Sequence, residues 1–403
     1  MTKKSINILI FSSTWSFIIG ILTALYLNLV NYIIDFIWGY FNHHANFPLR
    51  PIYPFLICIP FGIVIGLLTK KLGSYPLTIE EVLHDVRKNG KLDYHSWWKS
   101  FTLGLLSLGA GGSIGPEAST TVLSSGMINW LGDKIRLIST QASGWVHFWQ
   151  ISIDKDKLLR TPNFNSLFNS KNHKKFFILF NILIGVIGTI IVFTLFPEEG
   201  AFGIHKRPIN WSWSILWYSL IPVIIGIIFG YFFLYFEKVF TKAETWRLHT
   251  IFKATLWGII LSLLTLITNY VLFSGEFHIV PFSKTALSYS PSFLLLIALI
   301  KTFSTHAGFA MGWRGGKIFP AIFASVAVGA AVAQFLPIQP VITVSILVVA
   351  STTIILEKPL LSAILLIFLL PISLAPIIFI TAYIVITIHK FLLKKIDLKS
   401  LIY

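Results

Sequence analysis

The sequence holds a single cysteine, Cys58, so no disulfide can form within the chain. Its setting in PFLICIPFG marks it as a small packing residue rather than a redox group. Charge is scarce: Asp, Glu, Lys and Arg make up 12% of the residues, where soluble domains carry about 25%. Acid is scarcer than base, with 16 Asp and Glu against 32 Lys and Arg. No H-E-x-x-H pair, Walker loop, zinc-type cysteine set or EF-hand loop occurs, so no metal, no cofactor and no enzymatic chemistry of those kinds is expected. A short apolar leader with a cleavage site is missing too. The first apolar segment follows MTKK and runs on too long for a leader, so it is expected to stay and to span.

What fills the chain instead is hydrocarbon: 55% of residues are hydrophobic and the mean hydropathy is +0.78. That composition predicts an all-α polytopic membrane protein. Crossing the hydrocarbon takes roughly 20 apolar residues. Segments of that kind lie at 5 to 39, 51 to 69, 176 to 196, 214 to 236, 253 to 273, 290 to 312 and 340 to 356, and 359 to 389 is long enough for two. Two more stretches, 101 to 131 and 318 to 336, are apolar but interrupted by glycine, proline and small polar residues, which suits half-helices buried in protein. The formal charge of +16 does not call for nucleic acid, because the basic residues sit in loops. Lys3 and Lys4, the group from Lys238 to Lys253, and Lys390 to Lys399 place both termini on the cytoplasmic side of a plasma (inner) membrane. The tryptophans of WSWSILW, 211 to 217, read as interfacial anchors. From 133 to 175 the chain turns polar and is expected to form a loop outside the bilayer.

A short pattern recurs. Residues 111–116 read GGSIGP and residues 315–320 read GGKIFP, both GG-x-I-x-P. Each follows an earlier punctuated element at a nearly equal interval: Gly73 of GSYP precedes Gly111, and Gly275, with Ser274 and Glu276, precedes Gly315. Paired elements in register predict duplication, with 1–212 as a first membrane repeat and 213–403 as a second, in one integrated membrane domain. A glycine-rich turn opening a helix inside a membrane is expected to aim free N–H groups at one point, where an anion supplies the acceptor the bilayer lacks. Close helix packing is the other use of such glycines.

At these residues the chain resembles the CLC family of chloride channels and proton-coupled chloride transporters, which carries G-S-G-I-P, then G-R-E-G-P, and in its second half G-x-F-x-P. KLGSYPLTIEEVL (71–83) is similar to the first motif and its helix, GAGGSIGPEAS (109–119) to the second and GWRGGKIFPAIFASVAVGAAVA (312–333) to the third. ASTTIILEKPLLSAILLIFLLP (350–371) is similar to the paired helices that close the second repeat. The resemblance implies a CLC-like inverted repeat with broken helices meeting at the midplane. It also implies passage of chloride or another monovalent anion through a lipid bilayer, and a homodimer with one pore per subunit. It implies an anion-binding set of Gly73, Ser74 and Tyr75; Gly112, Ser113, Ile114 and Gly115; Ile318 and Phe319; and Tyr403 as the only tyrosine near the family's C-terminal pore position.

Two departures bear on mechanism. Ile114 stands where the family places its gating glutamate, and a branched alkane can neither swing into a pore as a surrogate anion nor carry a proton. The polar stretch 133–175 stands in place of the two helices that precede the family's internal proton-transfer glutamate. Passive, proton-independent passage is therefore expected, by channel or uniport. Glu117, nearly one helical turn beyond Ile114, is the alternative proton carrier, although a carboxylate in a first turn is also ordinary dipole pairing. Lys317 is expected either to steady an anion or to snorkel to the interface, and Arg314 adds positive potential beside it. GGSIG also matches G-x-S-x-G, which would make Ser113 a hydrolytic nucleophile with His306 of STHAGF as its base. A scaffold without transport is the remaining alternative.

Overall fold

The computed structural model of the chain describes residues 3–40, 51–90, 92–141, 171–196, 209, 215–244, 248–276 and 278–395. Among them the regular elements are helices. In chain order these are α1 (Lys3–Ile34), α2 (Tyr53–Leu72), α3 (Ile79–Asn89), α4 (Trp97–Gly109), α5 (Glu117–Gln141), α6 (Lys171–Leu195) and α7 (Ile215–Glu244). Then follow α8 (Thr250–Thr265), α9 (Ile279–Thr285), α10 (Pro291–Ala310), α11 (Ile318–Ala333), α12 (Pro340–Leu356), α13 (Pro359–Leu369) and α14 (Ala375–Lys395). Among the described residues six helical stretches are long and apolar enough to cross a membrane, and α8, α11, α12 and α13 are shorter apolar helices. The protein is an all-α polytopic membrane protein.

The helices fall into two compact units. The first comprises Met1–Gly39, Tyr75–Leu105 and Pro116–Pro197. Its long apolar pair, α1 and α6, touches backbone to backbone: a Cβ on Gly20 would stand 2.0 Å from Gly185 O. Small residues permit such approach where water supplies no driving force, and Ser16 Oγ donates to Asn181 Oδ1 across the pair at 3.0 Å. Helix α3 opens with a complete capping box, in which Glu81 N–H donates to Thr78 Oγ1 and Thr78 N–H donates to the Glu81 carboxylate.

Helix α5 corrects one expectation. The polar sequence from residue 133 does not leave the helix, which continues to Gln141, and another helix begins at Lys171; residues 142–170 lie outside the described set. The charges are absorbed locally. Asp133 is buried and accepts from Tyr94 Oη at 3.3 Å, and the Lys134 ammonium lies over the rings of Phe11, Trp15 and Trp130, 4.8 Å from the last. Burial, reinforced by the Asp133 carboxylate, holds the Tyr94 phenol above its usual range.

The second unit comprises Tyr40–Ser74, Leu106–Gly115 and Glu198–Tyr403. Helices α2 and α8 pack through glycine, since a Cβ on Gly258 would stand 2.3 Å from Cys58 O. Cys58 itself is buried and donates to Ala110 O at 3.3 Å, as a packing residue. Helices α11 and α12, apolar on every face and nearly wholly buried, form the centre of the unit, with α7, α10 and α14 around them. The apolar run 253–273 is not one spanning helix: α8 stops at Thr265 and the chain enters a 3-10 turn at Asn269–Val271. The carbonyls that follow, from Tyr270 to Phe273, turn to Lys301.

Candidate functional site

In the second unit Gly73 and Ser74, Gly111 to Gly115, and GGKIFP come together. Helix α4 ends at Gly109, Gly111 turns with φ +87°, and Gly115 and Gly316 exchange hydrogen bonds in both directions, Gly115 N–H to Gly316 O at 2.8 Å and Gly316 N–H to Gly115 O at 2.7 Å. GGSIGP and GGKIFP are thus joined as one antiparallel bridge. GSYP reaches the same place from the end of α2. Gly73 caps that helix with φ +99°, and Arg314 Nη1 donates to Ser74 O at 2.8 Å. A fourth strand of chain arrives through Phe273, whose N–H donates to Gly111 O at 3.1 Å.

The bridge alters the expected use of the amides. Gly111 and Gly112 donate to Leu108 O and Ser107 O, Ile114 to Gly112 O and Gly115 to Gly316 O. The GGSIG turn therefore does not present a row of free N–H groups; buried amides need acceptors, and these come from the end of α4, from the turn itself and, for Gly115, from the facing element. All of 111–116 is buried, whereas Ser74 is exposed and Lys317, Ile318 and Phe319 are half-buried. The approachable part of the junction is Ser74 together with the first turn of α11, which carries no acidic residue. An N-terminus of that kind favours negative charge.

Ile114 closes the junction. It is 1% exposed, and a Cβ placed on Gly315 would stand 2.6 Å from its Cδ1 and 2.7 Å from its Cβ. The isoleucine thus occupies the space that the facing glycine leaves empty. Ser113 is held by α10: Ser304 Oγ donates to Ser113 Oγ at 2.8 Å, and Thr305 Oγ1 donates to Ser113 O at 2.9 Å. His306, the base a hydrolytic reading requires, turns instead to Phe233 and Phe309, with ring centroids 4.4 Å and 6.4 Å away. The serine-nucleophile arrangement is not formed.

The cations at the junction are matched. The Lys317 ammonium pairs with the Glu237 carboxylate on α7, with 12% of the lysine side chain exposed, so it neither snorkels outward nor stands alone. Helix α7 runs past the apolar stretch that ends near 236, through Glu237 to Glu244. Lys301, which the sequence reading passed over, is fully buried in α10. A lone lysine within PSFLLLIALIKTFSTHAGFA is a signal in itself, because an ionisable residue in an apolar span needs a partner. Tyr75 and Glu117 belong to the first unit; Glu117 opens α5, and the Lys99 ammonium lies 5.2 Å over the Tyr75 ring. Tyr403 lies outside the described residues.

Broken helices whose glycine turns pair inside a polytopic helical unit define an ion-transport type of membrane fold. A family model described as voltage gated chloride channel matches residues 170–389, more than half of the 403 residues, and the chain belongs to that family. The matched region takes in GGKIFP and leaves GSYP and GGSIGP outside it. Three solved structures share the fold at low identity. A slow cyanobacterial Cl−/H+ antiporter is 18% identical, with a TM-score of 0.64 over 95% of this chain and 93% of that one. A CLC-type fluoride/proton antiporter is 14% identical, with a TM-score of 0.66 over 96% of each. A eukaryotic CLC transporter is 13% identical, with a TM-score of 0.59 over 95% of this chain and 72% of that one. No curated protein matches. Anion transport of the CLC kind, by channel or by proton-coupled antiport, follows from membership.

Proposed function

We propose that the protein passes monovalent anions, chloride first, down their gradient and without coupling to protons. The observation that carries this is Ile114. At the place of the gating glutamate stands a buried hydrocarbon, packed against Gly315 where the two glycine elements join. A side chain without an ionisable group can be displaced, but it cannot load or release a proton. The anion's contacts are assigned to Ser74, flanked by Gly73 and Tyr75, and to the opening of α11 at Ile318 and Phe319. Gly112, Ser113, Ile114 and Gly115 form the wall it passes, and Tyr403 is assigned to the same path. A homodimer in a plasma (inner) membrane, with both termini cytoplasmic, completes the proposal.

The second reading is antiport through Glu117. It is favoured by the two antiporters that share the fold, one moving chloride and one fluoride against protons. Purified protein in liposomes separates the two. Uncoupled passage gives chloride efflux at the same rate with and without a pH gradient, whereas uphill proton movement driven by a chloride gradient refutes it.

A further inference from the structure

Lys301 stands in α10 with none of its surface exposed. Its ammonium donates to four successive carbonyls: Tyr270 O at 3.1 Å, Val271 O at 3.3 Å, Leu272 O at 3.0 Å and, closest, Phe273 O. The Phe323 ring lies 5.5 Å away on a cation–π contact. Four backbone oxygens gathered round one positive centre is how proteins coordinate a bound cation, and here the cation is tethered. An ammonium brings three hydrogens to the four oxygens, so one is shared between two carbonyls; a neutral amine brings only two and turns a lone pair toward the rest. The gathered segment is bent to fit, since Phe273 adopts φ +57°, which a residue with a side chain seldom takes.

Both ends of this lysine lead to the GGSIG turn. Through the carbonyl cage it fixes Phe273, whose N–H holds Gly111 O. Its own backbone carbonyl stands 3.0 Å from Ser304 Oγ and from Thr305 Oγ1, and each of these hydroxyls shares its one hydrogen between Lys301 O and Ser113. Gly111 and Ser113 bracket Gly112 and lead into Ile114. We propose that Lys301 is the positioning residue of the anion path: a tethered cation whose charge, not its bulk, sets where the GGSIG turn stands against GGKIFP. It touches no anion. It acts through the turn, and it rests on the anion reading above.

Liposome flux assays on three variants of the full chain test this. Lys301→Met keeps the stem to within one atom and loses the charge. Chloride efflux is expected to fall about tenfold or more, as misplacement by about 1 Å costs in a preorganised site, with the chloride-to-nitrate ratio changed. Lys301→Ala is expected to be equally slow and to recover in n-propylammonium, which restores the missing stem and charge, but not in neutral n-propanol. Thr305→Val cuts the other route to Ser113 and shifts the same ratio without touching the ammonium, which keeps the proposal testable if neither Lys301 variant folds. Efflux and anion ratio unchanged in Lys301→Met, rescue by propanol equal to rescue by propylammonium, or an unaltered ratio in Thr305→Val would each overturn it. Failure of the wild type to pass chloride, bromide or nitrate sinks the anion reading instead. The cage is then judged by whether propylammonium, and not propanol, raises the melting temperature of Lys301→Ala; no rise overturns it.

Discussion

Shortening Ile114 to alanine should move stability and transport in opposite directions. The side chain is 1% exposed and fills the space against Gly315, where any Cβ would stand within 2.6 Å of its Cδ1. Removing its outer carbons from a site that the Gly115–Gly316 bridge holds open costs about 2 to 5 kcal/mol, as large-to-small core changes do when the surroundings cannot collapse. The detergent-solubilised protein should therefore melt at lower temperature. Transport answers to a different quantity. If the isoleucine blocks the junction and must be displaced at each passage, lowering that barrier by only about 1.4 kcal/mol speeds passage tenfold. The expected result is chloride efflux faster by about tenfold per folded protein, still indifferent to a pH gradient. Ile114→Leu, which conserves volume, should leave melting temperature and efflux near their original values. Efflux that stays at the wild-type rate, or drops in step with the folded fraction, would refute the stopper account and leave Ile114 a packing residue.

Gly315→Ala drives a Cβ into the Cβ of Ile114, 2.7 Å away, a clash no rotamer relieves. It should destabilise by about 1 to 3 kcal/mol, and Ile114→Gly in the same chain should recover much of that in a double-mutant cycle of melting temperatures. Glu117→Gln should change neither the rate of chloride efflux nor its indifference to pH. Proton uptake seen in the wild type and lost in this variant would establish antiport instead. Thr78→Ala removes the α3 cap, in which Glu81 N–H donates to Thr78 Oγ1. It should cost about 1 kcal/mol in thermal unfolding with efflux per folded protein unchanged.

Apolar runs read well where a local stop ends them. The run 340–356 is α12 to the residue, because Pro340 sets the first turn and Glu357, in a left-handed conformation before Lys358 and Pro359, ends it. Reading fails where a distant group decides. Nothing in 253–273 forecasts that the carbonyls from Tyr270 to Phe273 turn to a lysine from α10. The polar letters from 133 stay helical because Asp133 finds Tyr94 and Lys134 finds three aromatic rings, partners that a window of sequence cannot display. The glycine turns were legible as a pair, and they meet at Gly115 and Gly316. Their use was not, since pattern alone cannot tell an amide offered to an ion from one donated to a facing carbonyl.

That difference changes where selectivity must come from. Three cations stand at or behind the junction, and each already has a protein partner: Arg314 the Ser74 carbonyl, Lys317 the Glu237 carboxylate, Lys301 four carbonyls. Lys301 is buried away from any anion, and at Arg314 and Lys317 an arriving anion would compete with a protein partner instead of meeting bare charge, which works against a deep trap. Conduction needs binding strong enough to admit an ion and weak enough to release it. On the proposed reading, a site of matched cations, an acid-free helix opening at α11 and a hydrocarbon stopper would meet both conditions. It would do so with no group at position 114 that could hand on a proton, so any proton coupling has to run through another residue, and Glu117 is the one the second reading names.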